Sequence, residues 1–180
     1  IQTADQNDQL GTAHAVKTAS HLIQDDEKVL VLYGDVPLIR GETIEALINS
    51  GQDCTLLSMK LDDPTGYGRI MTNEENLALR IIEQKDASDV EKQIKNVFTG
   101  ILLIDGSILK PALTDISNQN AANEYYLTDL VEILSAKGVK INCILANPTE
   151  VMGANNKHEL HELESILRKM SAEKLLQQGI

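Results

Sequence analysis

The sequence predicts an α/β domain built on a mixed sheet, and three stretches carry that expectation. The first is Val29-Leu30-Val31-Leu32-Tyr33-Gly34-Asp35, four unbroken aliphatics that run on to a carboxylate. A run apolar on both faces reads as a strand covered by helices on both sides, whereas a half-exposed strand alternates. The second is the order strand, helix, strand over residues 29–35, 42–49 and 54–61, the spacing of a βαβ unit with parallel strands and a right-handed crossover. The third is the pair of segments 68–72 and 77–83 around Asn73-Glu74-Glu75-Asn76, which suits an antiparallel hairpin.

The remaining elements follow in order. Gly11 precedes a helix over 12–23, with Ala13, Val16, Ala19, Leu22 and Ile23 on one face and Thr12 as the N-cap. The helix over 42–49 stops at Ser50-Gly51, and 54–61 (CTLLSMKL) is a buried strand. Asp62-Asp63-Pro64-Thr65-Gly66-Tyr67-Gly68-Arg69 is turn-rich, with two glycines around a tyrosine that suit a lip over a pocket. Ser88 starts a short polar helix to Lys95, and 97–104 is a strand through the core. A helix over 107–116 is interrupted by Pro111, one over 126–137 ends at Gly138, and 139–145 is a further strand. The last helix, 156–178, sets Leu160, Leu163, Leu167, Met170 and Leu175-Leu176 on one side. It either docks on the sheet or leads toward a neighbouring domain.

Composition narrows the function. The 180 residues suffice for one sizeable core, and their net charge of −11 argues against a nucleic-acid backbone as the main partner. No stretch reaches the roughly 20 apolar residues of a membrane span. Cys54 and Cys143 lie far apart, each within an apolar run, and read as buried free thiols in a reducing cytoplasm. His158 and His161 stand one helical turn apart with no third ligand, and His14 and His21 fall at the edge of one helix, so no metal site is expected from them. The chain opens Ile1-Gln2-Thr3 without an initiating Met, which is expected of a cut inside a longer protein.

Two features point to ligand chemistry. Gly11 at the mouth of a helix lets backbone approach a flat or anionic ligand, beside free N–H donors. Asp35 falls beyond the carboxyl end of a strand, where ligands gather in open α/β sheets, although an aspartate there also serves to start a turn.

The motifs QLGTAHA, LYGDVPL, DDPTGYGRI, IIEQKDA, NEYYLTD and GANNKHEL, in this order and spacing, together resemble one family. It is the uridyltransferase domain of the bacterial bifunctional N-acetylglucosamine-1-phosphate uridyltransferase/glucosamine-1-phosphate acetyltransferases, and the resemblance runs end to end. It implies a Rossmann-like nucleotidyltransferase fold, a three-layer sandwich with a mixed sheet. The implied reaction joins UTP and N-acetylglucosamine 1-phosphate into UDP-N-acetylglucosamine and pyrophosphate, with magnesium, in the cytoplasm, for peptidoglycan and lipopolysaccharide precursors. By motif, Gln6, Gly11 and Thr12 contact the uracil, while Tyr33, Gly34 and Asp35 line the nucleotide. Asp35 is the catalytic carboxylate and, with Asn155, a magnesium ligand. Gly68 and Glu83 hold the acetylated sugar, closed on one side by Glu124, Tyr126 and Thr128. Residues 1–156 then form a partial uridyltransferase domain, and 157–180 lead toward an absent acetyltransferase domain through which the full-length protein forms homotrimers.

Two departures stand out. The family begins with a strand and the loop L-x-A-G-x-G-T-R-M, followed by a Lys, all cradling the triphosphate. This chain starts downstream of them, so by itself it is expected to be inactive, with an unpaired edge beside residues 29–33. The family also has Asn before Thr-Gly, where this chain reads Phe98-Thr99-Gly100. Two other readings keep much of the same site. One is a nucleotidyltransferase for another sugar 1-phosphate, which would change the side around Glu83 and Phe98. The other is a module that binds a sugar nucleotide without turning it over.

Overall fold

The computed structural model describes residues 1–154 and 156–179. In chain order these form α1 (Thr12–Ala19), β1 (Lys28–Val31), α2 (Gly41–Ile48), β2 (Cys54–Lys60), β3 (Arg69–Thr72), β4 (Ala78–Ile82), β5 (Asn96–Asp105), α3 (Gly106–Asp115), α4 (Asp129–Ala136), β6 (Ile141–Leu145), α5 (Pro148–Val151) and α6 (Lys157–Gln177). Strands run β4-β3-β5-β2-β6 across the sheet, and β1 also pairs with β5. The sheet is mixed, with helices on both faces.

Strand β5 is its axis, buried along nearly its whole length. Its alternate residues serve two cores. Phe98, Leu102 and Ile104 face α1, α3 and α4 and pack with Ala13, Leu109, Leu113, Leu130 and Leu134. Val97, Ile101 and Leu103 face the other way, toward Leu47 of α2, Val36 and Val151 of α5. Period-two alternation in a strand apolar throughout is what a covered central strand requires.

The expected parallel βαβ unit is corrected. Strands β1 and β2 run in the same direction with α2 between them, but β5 lies between them and is antiparallel to both. Among the described residues only β2 and β6 pair in parallel. Strand β1 ends at Val31 and is half-buried, with Leu32 exposed at 46%. Among the described residues its hydrogen-bonded partner is β5 alone, so the aliphatic run that promised cover on both sides forms an edge strand here.

Other boundaries shift for local reasons. The polar helix expected from Ser88 shrinks to a 3-10 turn at Glu91–Gln93, opened by a reciprocal cap in which the Glu91 carboxylate accepts from Ser88 N at 2.8 Å and Ser88 Oγ at 2.7 Å. Pro111 lies inside α3 without ending it. Helix α4 begins at Asp129 rather than 126, and Leu127 N just before it donates to Thr12 Oγ1 at 2.9 Å. Helix α5 was not expected; Pro148 opens it and the Asn147 side chain accepts from Thr149 N.

Cys54 and Cys143 are free thiols on the paired strands β2 and β6. Burial pushes the Cys54 thiol up to about 12 and that of Cys143 up to about 11. The long α6 buries only Leu163, while Leu160, Leu167, Leu175 and Leu176 stand exposed. No described helix is long and apolar enough to cross a membrane.

Candidate functional site

A gap along one flank of β5 makes the site. Val31, the last residue of β1, sits opposite Leu102, and Arg69, the first of β3, sits opposite Val97. With β2 on the other flank, β1 and β3 lie end to end beside β5, and the stretch from Phe98 to Ile101 between them has no strand partner on that side. Here β5 bulges, for β2 advances from Leu56 to Ser58 while β5 goes from Leu102 to Phe98. Gly100 takes φ +87, and a Cβ there would stand 2.6 Å from the Tyr33 ring. Thr99 turns its hydroxyl inward to donate to Leu57 O at 2.8 Å. The bulge thus gives Tyr33 a seat where an unbroken strand would leave none.

Over this floor opens a cleft of about 630 Å³. It is lined by Thr12, Tyr33, Asp35, Gly68, Glu83, Glu124, Tyr126 and Thr128. Eight of the residues singled out by motif therefore meet in one place, although they come from five separate stretches of chain. Gly34 lies just outside, in hollows adjoining Asp35. Gln6 and Gly11 do not line the cleft; Gln6 Nε2 donates to Gly11 O at 3.2 Å, next to Thr12. Gly11 has φ +115, and a Cβ on it would come within 2.5 Å of Tyr125 O. Ala13 N donates to that same oxygen at 2.9 Å and Tyr125 N to Leu10 O at 2.8 Å, so the close approach that Gly11 permits is to the chain's own backbone. Thr12 is the first residue of α1 rather than its cap.

The expected Asp35 and Asn155 pair is described on one side only, because Asn155 lies outside the described residues. Asp35 occupies the turn after β1, exposed, with Ala154 N donating to its backbone oxygen at 3.0 Å. Gly153 faces its carboxylate, and a Cβ there would reach Oδ2 at 3.6 Å. Asn156 caps α6, accepting from His158 N and Glu159 N while its amide reaches the Glu159 carboxylate at 2.6 Å. This reciprocal cap brings Glu159 to the rim of the cleft, a position not assigned from sequence. Glu150 is buried and accepts from Thr43 Oγ1 at 2.6 Å with Arg40 at 3.5 Å, which ties α5 and the loop after it to α2.

Glu83 accepts from Thr128 Oγ1 at 2.9 Å. Burial raises its carboxyl above the usual range, and the Thr128 hydrogen bond opposes that. The Tyr33 phenol is raised by burial and then by the charge of Glu83. Beneath the lip, Arg69 is 1% exposed; it donates to Tyr67 O, and to Gln84 Oε1 at 2.6 Å. Gly66 N also donates to Gln84 Oε1, so one buried cation pins the turn through two routes. Sequence reading took this arginine for the start of a strand and no more. Phe98 is 5% exposed and belongs to the core that faces α3 and α4, although its edge reaches the cleft.

Next to Glu83, the carboxyl of Asp129 is pushed up to about 6, by burial first and then by Glu132, Glu83 and Asp86. A carboxyl raised in the folded chain destabilises it once ionised, so the penalty is absent below about pH 4 and complete above about pH 6. Asp129→Asn is expected to raise stability at pH 7.5 by about 1 kcal/mol, a figure discounted for its half-exposed position, and to change little at pH 3.5. Urea unfolding at both pH values measures this; an equal gain at both would refute the titration.

Comparison with known proteins follows the same outline. A family model described as nucleotidyl transferase matches residues 1–147. Proteins named "Bifunctional protein GlmU" match at 41% identity in Caldanaerobacter subterraneus, 43% in Hydrogenovibrio crunogenus and 45% in Marinobacter nauticus. These alignments cover 100%, 100% and 97% of this chain, which spans about 40% of the length of those relatives. A solved structure from Bacillus anthracis, described as a glucose-1-phosphate thymidylyltransferase in complex with a sucrose, aligns with TM-score 0.64 at 17% identity. That alignment covers 90% of this chain and 63% of the other. At that identity it shows a shared fold.

Proposed function

Because this chain belongs to the nucleotidyl transferase family, we propose that it carries the nucleotide and sugar halves of a uridyltransferase making UDP-N-acetylglucosamine. In that reaction a phosphate oxygen of N-acetylglucosamine 1-phosphate attacks the α-phosphorus of UTP, and the bond to the β-phosphate breaks to release pyrophosphate. The observation that carries the reading is the shared cleft, which brings Thr12, Tyr33, Asp35, Gly68, Glu83 and Thr128 together. Transfer between phosphates needs alignment and charge neutralisation more than a covalent intermediate. A cleft that holds both substrates would supply the first.

Magnesium suits the charge requirement. The Asp35 carboxylate faces a side-chain-free glycine, which leaves room for a hydrated ion. No group of three or more His, Cys, Asp or Glu fit for a metal occurs among the described residues. Magnesium needs only one or two protein oxygens, with phosphates and water completing its shell. Asp35, with Asn155, would hold it, and the ion would neutralise the phosphates. Glu83, Gly68 and Thr128 would orient the acetylated sugar, and Glu124 and Tyr126 would close it in. Gln6, Gly11 and Thr12 would read the uracil beside Tyr33 and Gly34.

The chain spans about 40% of its relatives' length, which supports a larger protein; by the family resemblance it would be cytoplasmic, with α6 leading to an acetyltransferase domain that trimerises. Its product would feed peptidoglycan and lipopolysaccharide synthesis.

A second reading has one observation behind it. Phe98 stands where the resembling family has an amide, so the sugar side presents a ring in place of a hydrogen-bonding group, as a site for a different sugar 1-phosphate would. Pyrophosphate release from UTP by the full-length protein, with N-acetylglucosamine 1-phosphate or glucose 1-phosphate, decides between them. We expect the acetylated sugar to be preferred by at least about tenfold. A reversed preference would favour the second reading, and no release with either would sink both.

A further inference from the structure

We infer that His14 is a positioning residue that fixes the amide of Gln6 and so sets the preference for a base carrying an N–H, such as uracil, over cytosine. The inference rests on the assignment of Gln6 to the base, and goes beyond it by naming what makes Gln6 selective.

The geometry is over-determined. Gly11 O can only accept, so the group of Gln6 that faces it at 3.2 Å must be the nitrogen, Nε2. The same Nε2 lies 3.1 Å from His14 Nδ1. Both amide hydrogens are thereby committed, one to the carbonyl and one to the imidazole. Nδ1 must offer its lone pair, which places the imidazole proton on Nε2. What Gln6 has left is its carbonyl oxygen, an acceptor only.

An acceptor held in place reads a donor. Uracil presents N3–H, where cytosine presents a bare N3. A free glutamine would turn its amide and satisfy either base. With Nε2 held from two directions, turning would put the carbonyl oxygen of Gln6 against Gly11 O and leave the cytosine complex with two facing acceptors. Discrimination by an unmatched polar pair is strong because the failed hydrogen bond is felt as a cost. His14 has a firm seat for this task. It lies on the first turn of α1, half-buried, with its ring 6.4 Å from that of Tyr125, whose backbone is bonded to the same helix start.

The test uses turnover of UTP and CTP by the full-length protein, read as the ratio of kcat/KM values. His14→Ala is expected to lower the UTP preference by about tenfold, with UTP turnover itself less affected. His14→Asn, whose side-chain oxygen can take the place of Nδ1, should restore most of the preference. A structural role alone would change both nucleotides together and would not be rescued by Asn. Nitrogen-15 spectra should also show the His14 ring protonated at Nε2 and bare at Nδ1. If wild type prefers UTP and His14→Ala keeps that preference, the inference is overturned while the base site stands. If wild type itself does not distinguish the two nucleotides, the assignment of Gln6 falls and the inference with it.

Discussion

Asp35→Asn is expected to reduce UMP transfer by the full-length protein by about three orders of magnitude, with little change in its melting temperature. Asp35 is exposed in a turn, so exchanging carboxylate for amide costs the fold almost nothing. Its chemical role is different. It supplies the full negative charge of the proposed magnesium site, and removal of one electrostatic stabiliser of a transition state commonly costs a hundredfold to a thousandfold. Asn155→Ala takes away a neutral oxygen that water can replace, and should weaken apparent magnesium affinity more than maximal rate. Equal losses for both variants, independent of magnesium concentration, would mean that these residues only shape their loops.

Gly11→Ala is expected to be strongly destabilising. The added Cβ would meet Tyr125 O at 2.5 Å and Tyr125 N at 2.8 Å, both backbone atoms, at φ +115. Backbone strain and overpacking each cost about 1–3 kcal/mol, so a loss of about 3 kcal/mol and a melting point lower by on the order of 10 °C are expected. Gly51→Ala is the control, since Gly51 has φ +68 and nothing within 4 Å of its Cβ. It should cost about 1 kcal/mol. If the two variants melt alike, the seam between the start of α1 and Tyr125 does not hold the site together.

Gly11 also shows where sequence reading reaches its limit. A glycine at a helix mouth announces close approach, but the partner is fixed by tertiary structure, and here the partner is Tyr125. The elements with strong local signals were legible, among them the hairpin of β3 and β4, the apolar β5, and the long α6. Strand direction was not. Residues 28–31 carry no mark that their neighbour is an antiparallel strand some 70 positions later rather than β2, because hydrophobic pattern reports cover and not direction. The bulge at Gly100 was hidden for the same reason, since extra residues in one strand show only against a partner. Most candidate residues were reached through ordered motifs. Glu159 and Arg69 were missed because a helix start and a strand start are complete local explanations, and their places at the rim and beneath the lip exist only in the folded chain.

Hydrogen exchange in the full-length protein, with and without UDP-N-acetylglucosamine, tests most directly whether one cleft holds both halves of the product. Protection is expected together in three separate stretches, 33–36, 65–69 and 98–101, with Glu83 and Thr128 in the adjoining peptides. Protection confined to one of these stretches, or absent at saturating ligand, would contradict the shared cleft and the transfer reaction proposed from it.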